Sequence, residues 1–143
     1  GIKMPAQFGV VSNGFGDVEE KGGRECWNSD ETGLGDNRSG WATFYLNVED
    51  TEHPIRLEMD VWGTSDLASV VINTGGEQKG YDAGGIWNPV EPEEPLSGEE
   101  QWDTLVFNIP VELLAPEKTT QTIGFGGADS QVWVSSIRYE QVE

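Results

Sequence analysis

The chain has 143 residues, the ordinary size of one domain, and is read as a single domain over 1–143. Its 8 Lys and Arg stand against 26 Asp and Glu, a formal net charge of -18. That balance argues against a nucleic-acid or anionic-membrane partner, and less strongly against a polyanionic glycan, because the cations that neutralise phosphate are missing. No stretch approaches the ~20 apolar residues that cross a bilayer, and Gly1-Ile2-Lys3-Met4-Pro5 lacks the apolar run of a signal peptide. An exported protein would carry its signal outside this sequence, and a start at Gly1 suits a module cut from a longer chain. The hydrophobic fraction is only 36%, yet 6 Trp, 5 Phe and 3 Tyr supply enough area per residue for a packed core.

In chain order, the first predicted strand is Ala6 to Val11, followed by a turn at Asn13-Gly14. Gly22-Gly23 supplies a second tight turn, and Arg24 to Asn28 reads as a strand. Cys26 is the lone cysteine, so an internal disulfide is excluded and a small buried hydrophobe beside Trp27 is expected. Asn28 to Asp36 carries oxygen ligands at the first, third, fifth and ninth positions of a calcium loop, notably Asn28, Asp30 and Asp36, with Gly33 at the sixth. Ser39 stands at the twelfth position in place of the bidentate Glu, so this is no EF-hand, and a polar turn serves the pattern equally well. Asn37-Arg38-Ser39 matches a glycosylation sequon, to which no function is attached.

Trp41 to Val48 alternates cleanly, with Ala42, Phe44, Leu46 and Val48 on one face and Trp41, Thr43, Tyr45 and Asn47 on the other. His53 reads as a turn residue. Ile55 to Val61 repeats the alternation, opposing Ile55, Leu57, Met59 and Val61 to Arg56, Glu58, Asp60 and Trp62. Ser69 to Asn73, Trp102 to Ile109, Thr120 to Phe125 and Gln131 to Tyr139 are further strands, separated by Gly75-Gly76, Gly84-Gly85 and Gly126-Gly127. Asn88 to Glu100, rich in Glu and Pro, reads as a long exposed loop that either is merely solvated or walls a binding cleft. Val111 to Ala115 is the one helical hint, ended by Pro116. The sum is an all-β antiparallel sandwich or barrel.

Most catalytic chemistry fails on residue count. With one His and no Gly-x-Ser-x-Gly elbow there is no nucleophilic triad, and one Cys and one His are too few for structural zinc. The Gly pairs lack the strand, helix and Lys context of a phosphate loop. Glu58-Met-Asp60-Val-Trp62 resembles the first half of the Glu-x-Asp-x-x-Glu motif of laminarinase-type glycoside hydrolases. The second acid, which must lie about 5–5.5 Å from the nucleophile, would fall on Trp62 or Gly63. Glu58 and Asp60 are therefore read as solvated face residues or as acceptors for sugar hydroxyls, and the protein as no enzyme.

The aromatic residues carry the positive reading. The alternation sets Trp41, Tyr45, Trp62 and Trp102 opposite the aliphatic faces, among Asn, Thr, Arg and Asp. An aromatic ring with a polar rim stacks on the apolar face of a pyranose while its neighbours bond the hydroxyls. Candidate carbohydrate-binding residues are Trp62, Trp102, Trp41, Tyr45, Trp87, Trp27, Arg56, Asp60 and Asn47, whereas Trp133 is assigned to the core.

Trp102 to Pro110, Gln121-Thr-Ile-Gly-Phe-Gly126 and Gln131-Val-Trp-Val-Ser-Ser-Ile-Arg-Tyr139 together resemble the closing strands of jelly-roll, galactose-binding-like carbohydrate-binding modules of bacterial plant-cell-wall hydrolases. The resemblance implies a jelly-roll sandwich and a groove across one sheet. It implies a non-catalytic role, in which internal stretches of neutral β-glucan, xyloglucan, mixed-linkage glucan or soluble cellulose are bound and an attached hydrolase is held near its substrate. Such a module is a secreted, monomeric part of a larger enzyme. Many of these modules carry acids where Ser135-Ser136 stand, in a region that often helps hold calcium, so no cofactor is expected and structural calcium is the one candidate. A β-sandwich that meets another protein through its exposed aromatics is the competing class, and a small hydrolase or lyase is a third.

Overall fold

The computed structural model describes residues 4–5, 7–8, 18–28, 41–74, 86–116, 119–126 and 131–143, with the backbone alone at 4–5, 7–8, 18 and 41. Among the described residues the strands are β1 (Met4–Pro5), β2 (Gln7–Phe8), β3 (Val18–Lys21), β4 (Arg24–Asn28), β5 (Trp41–Asn47), β6 (Ile55–Trp62), β7 (Val70–Asn73), β8 (Trp87–Val90), β9 (Trp102–Ile109), β10 (Thr120–Gly126) and β11 (Trp133–Gln141). They form an antiparallel sandwich. Sheet A runs β3-β4-β11-β6-β9 with β1 added to β11, and sheet B runs β2-β5-β10-β7-β8. The helical hint is a 3₁₀ turn, Val111–Leu113.

From β4 to β7, and again from β8 to β11, each strand crosses to the other sheet. Every period-two pattern therefore faces its inward set against a strand from elsewhere in the chain. Ile55, Leu57, Met59 and Val61 of β6 meet Phe44 and Leu46 of β5 and Ile123 and Phe125 of β10 in one buried core. Phe44 and Phe125 pack tilted at 60° with centroids 6.1 Å apart. Tyr139 of β11 spans that core: its hydroxyl accepts from the Asn47 amide at 2.8 Å and donates to the Asn47 carbonyl at 3.0 Å, tying sheet A to β5. Burial lifts the Tyr139 phenol above its ordinary value, opposed by the hydrogen bond to Asn47. Cys26 is buried as expected, and His53 lies in a turn where its Nδ1 pairs with Asp50.

Three expectations change. Of the predicted strand Ala6 to Val11, Gln7–Phe8 forms β2 against β5 while Ala6 and residues 9–11 lie outside the described residues, and ahead of it Met4–Pro5 forms β1 against β11 in the other sheet. Val18–Lys21 forms a hairpin with β4 that its charged sequence did not announce. Asn88 to Val90, read as loop, belongs to β8; this is the last strand of sheet B, an edge position where Pro89 need not donate to a ladder. The loop beyond it is tethered. Pro92 bridges to Phe107, and Asp103 accepts from the Ser97 amide at 2.9 Å, the Ser97 hydroxyl at 2.7 Å and Gln101 at 2.8 Å. Burial pushes the Asp103 carboxyl up, but these donors outweigh it and hold it below the ordinary range.

Replacing Tyr139 by Phe leaves the Asn47 amide and carbonyl without their partner. Urea unfolding of Tyr139→Phe should show a loss of about 1–2 kcal/mol with an unchanged slope.

Candidate functional site

The two sheets turn their outer faces in opposite directions, and the predicted site residues divide between them. On sheet A the register sets Trp62 against Trp102, Asp60 against Thr104 and Ser136, Glu58 against Val106 and Arg138, and Arg56 against Asn108 and Glu140. Tyr45, Asn47, Trp87 and the backbone position of Trp41 belong to sheet B. The Trp41 side chain lies outside the described residues. Trp27 joins neither group, because it pairs with the inward Val134 at the flank of sheet A. One groove cannot hold all of these residues.

The sheet A face is closed at its aromatic end. Trp62, expected to face solvent, is only 9% exposed. The Gly22-Gly23 turn of the β3–β4 hairpin lies over it, so close that a Cβ at Gly22 would collide with the indole. Trp62 and Trp102 meet nearly edge-on, at 75° with centroids 5.2 Å apart, and Trp102 Nε1 donates to the Lys21 carbonyl at 3.0 Å. Lys21 Nζ stands 5.2 Å from the Trp62 ring and 4.2 Å from the Trp133 ring, while the Arg24 guanidinium lies 5.5 Å from Trp102. Trp133 is thus not a core residue. It packs on this outer face and donates from Nε1 to Glu19 at 2.7 Å.

Beside the tryptophans runs a ladder of alternating charge. Arg138 donates from Nε to Glu58 at 2.8 Å and stands 3.2 Å from Asp60; Arg24 reaches Asp60 at 3.4 Å and Arg56 reaches Glu58 at 3.3 Å. Thr104 donates to Asp60 at 2.7 Å. The Glu58 and Asp60 side chains are 13% and 16% exposed, so they are neither freely solvated nor idle. Burial lowers the affinity of Arg138 for its proton, but Asp60 and then Glu58 overcome this and raise it above the ordinary value. All four Lys and Arg among the described residues, Lys21, Arg24, Arg56 and Arg138, sit on this one face. Ser135 and Ser136, in the region where the resemblance sets a calcium, accept from Arg24 and Arg138. Of the calcium-loop candidates, Asn28 is buried at the end of β4, and Asp30 and Asp36 lie outside the described residues.

The sheet B face is built differently. Phe44, Leu46, Ile123, Phe125, Val70 and Ile72 point into the core, so alternation turns Thr43, Tyr45, Asn47, Thr120, Thr122, Gly124, Val71 and Asn73 outward. The register lines up Gln7, Tyr45 and Thr122, then Asn73 and Trp87, as one row across the sheet. Half-buried aromatic residues flank a polar middle, with Tyr45 and Trp87 three strand spacings apart, about 14 Å. Thr122 and Asn73 are buried. In the adjacent row Thr43 is wholly buried opposite Gly124, and its hydroxyl makes no hydrogen bond. Thr120 donates to the Asn47 side chain at 3.2 Å. The sequence reading missed Thr43, Thr122 and Asn73; applying the alternation of β5 to β7 and β10 would have found them.

The Asn88 to Glu100 segment, read as either a solvated loop or a cleft wall, borders a depression beyond the end of β6. There Pro95, Leu96 and Gly98 face the 63–68 turn across a cavity of about 460 Å³.

No protein-family model matches this chain, and no curated protein matches it. Among solved structures, CBM35 from Cellvibrio japonicus Abf62 is 15% identical with a TM-score of 0.53, over 97% of this chain and 93% of that one. At that identity the likeness shows the fold alone, a jelly-roll β-sandwich. Fainter likenesses are the tailspike protein 4 enzymatically active domain of bacteriophage CBA120 (12% identical, TM-score 0.47, 98% of this chain but 19% of that one) and the second N-terminal cellulose-binding domain of Cellulomonas fimi β-1,4-glucanase C (17% identical, TM-score 0.44, 97% and 92%).

The hairpin over Trp62 makes a paired test. Gly22 and Gly23 both have positive φ, 56° and 80°, but only at Gly22 would a Cβ meet neighbouring atoms. Each Ala substitution should cost about 1–2 kcal/mol for the backbone, and Gly22→Ala should cost more and shift Trp emission to the red while Gly23→Ala leaves it unchanged.

Proposed function

We propose that this protein is a non-catalytic carbohydrate-binding module that recognises internal stretches of neutral β-glucan-type polysaccharide, namely xyloglucan, mixed-linkage glucan or soluble cellulose. The binding surface is the outer face of sheet B. The observation that carries the reading is the register line in which the half-buried Tyr45 and Trp87 flank β10 and β7 on a face whose described outward side chains include no Lys, Arg, Asp or Glu. Such a row suits a chain of pyranose rings laid across the strands, with a ring stacking on the aromatic side chain at either end.

Charge supports a neutral ligand. The chain carries -18 overall, and the described arginines, Arg24, Arg56 and Arg138, lie on the other sheet, engaged with Glu58 and Asp60. Among the described residues no Lys or Arg stands on the outer face of sheet B, so a uronate there would find no described cation to pair with. The same ion pairs support a non-catalytic reading, since Glu58 and Asp60 are held by three guanidinium groups and Trp62 and Gly63 stand where a second catalytic acid is required. The module acts as one monomeric domain of a longer, secreted bacterial enzyme. It raises the local concentration of substrate at the attached catalytic domain, and this role requires no cofactor.

Affinity electrophoresis tests this directly, in gels containing xyloglucan, mixed-linkage glucan, hydroxyethylcellulose or pectin. The wild type should be retarded by the neutral glucans and not by pectin. Truncating a central aromatic residue at a binding surface costs about 2 kcal/mol, so Tyr45→Ala and Trp87→Ala should each weaken retardation about thirtyfold. Arg56→Gln, on the opposite face, should migrate like the wild type. Unretarded wild type in every gel would overturn the reading, and loss confined to Arg56→Gln would move the site to sheet A.

A further inference from the structure

The two aromatic residues on the outer face of sheet B stand in different polar settings. At the Trp87 end the neighbouring groups are spent on one another: Asn88 Nδ2 donates to the Thr74 hydroxyl at 2.9 Å, and that hydroxyl donates to the Ile86 carbonyl at 3.2 Å. At the other end Tyr45 and Asn47 lie two residues apart on one face of β5, about 7 Å between Cα atoms, and the register sets Thr120 of β10 beside Asn47. All three side chains are half-buried and keep open surface. The Thr120 hydroxyl donates to Asn47 Oδ1 at 3.2 Å. This leaves the Nδ2 hydrogens of Asn47 and the lone pairs of the Thr120 oxygen, and among the described residues neither meets a partner. The main chain beneath them is fixed, because the Tyr139 hydroxyl holds both the amide and the carbonyl of Asn47 and the Val48 amide donates to the Thr119 carbonyl at 2.8 Å. A donor and an acceptor therefore stand side by side next to an aromatic residue, with little freedom left to lose on binding.

We infer that Asn47 and Thr120 are the specificity-determining pair of the sheet B site and recognise two adjacent equatorial hydroxyls of the sugar stacked on Tyr45, Asn47 Nδ2 donating to one and the Thr120 oxygen accepting from the other. This rests on the proposed function and names the sugar configuration that the site selects. A pyranose stacked on an aromatic side chain lies flat, so its equatorial hydroxyls run outward in the ring plane, toward side chains that flank the aromatic residue. An axial hydroxyl points instead at the aromatic ring or away from the protein. In a β-1,4-linked hexopyranose chain the 2- and 3-hydroxyls are the one adjacent free pair; both are equatorial in a glucan, and the 2-hydroxyl is axial in a mannan. The glucan satisfies donor and acceptor together, whereas the mannan leaves one of them unpaired.

The test is calorimetric titration of the wild type, Asn47→Asp, Thr120→Val and Thr120→Ser with cellohexaose and with mannohexaose. The wild type should bind cellohexaose about tenfold more tightly than mannohexaose. Asn47→Asp, which replaces the donor by an acceptor, and Thr120→Val, which removes the hydroxyl, should each weaken cellohexaose binding about tenfold and bring the two affinities together. Thr120→Ser keeps the hydroxyl and should rescue the preference that Thr120→Val loses. Wild-type affinity for cellohexaose in both Asn47→Asp and Thr120→Val would overturn the inference while leaving the proposed function intact. So would a wild type that binds the two hexaoses equally, or variants that lose affinity for both in the same proportion, since the pair would then serve the face and not the choice of sugar. Absence of binding by the wild type itself would bring down the proposed function and this inference together.

Discussion

The pleat of β6 is the constraint on which this sandwich turns. Flanked by β11 and β9, it is buried on its inner side and bonded along both edges, so its alternation is enforced over eight residues. Ile55, Leu57, Met59 and Val61 must face the opposing sheet, and Arg56, Glu58, Asp60 and Trp62 must face outward. A slip of one residue would drive three charged side chains into the apolar core, at a cost that no rearrangement of this small fold could recover. The outward set is then obliged to neutralise itself, and Arg138, Arg24 and Thr104 gather around the carboxylates of β6 for that reason.

This obligation separates the two faces. In a chain so rich in acids, the described cations gather where carboxylates are partly desolvated, and the β3–β4 hairpin brings Lys21 and Arg24 over the same surface while sealing Trp62. Sheet A is thereby occupied with its own electrostatics and aromatic packing. Sheet B carries no such duty. Its outward side chains are small, neutral and polar between Tyr45 and Trp87, and glycine at Gly124 keeps one position of the floor free of side chain. Neutral chemistry on one side and charge pairing on the other follow from a single fold.

Much of the sandwich was legible because its strands obey period two. Trp41 to Val48 and Ile55 to Val61 were readable to within a residue or two, and their inward residues are the core. β3 was not legible, because Val18-Glu-Glu-Lys21 has no alternation and exists through its pairing with β4. β8 was hidden by Pro89, which only an edge strand accepts. The candidate site was legible in residue type but not in place. Tyr45 and Trp62 look alike in sequence, each aromatic on the polar side of an alternating strand, yet β5 and β6 belong to opposite sheets. Nor could local pattern foresee that Gly22 would cover Trp62, or that Trp133 would pack against Lys21 outside the core.

The central claim is that the neutral outer face of sheet B, and not the charged face of sheet A, meets the glycan. Amide chemical-shift mapping during titration with cellohexaose addresses it in one experiment, because the two faces lie on different strands. The account predicts perturbations concentrated at Thr43–Asn47, Val71–Asn73, Trp87 and Thr120–Gly126, with Arg56–Trp62 and Trp102–Asn108 unmoved. Perturbations concentrated on β6, β9 and the Lys21–Arg24 hairpin would contradict it.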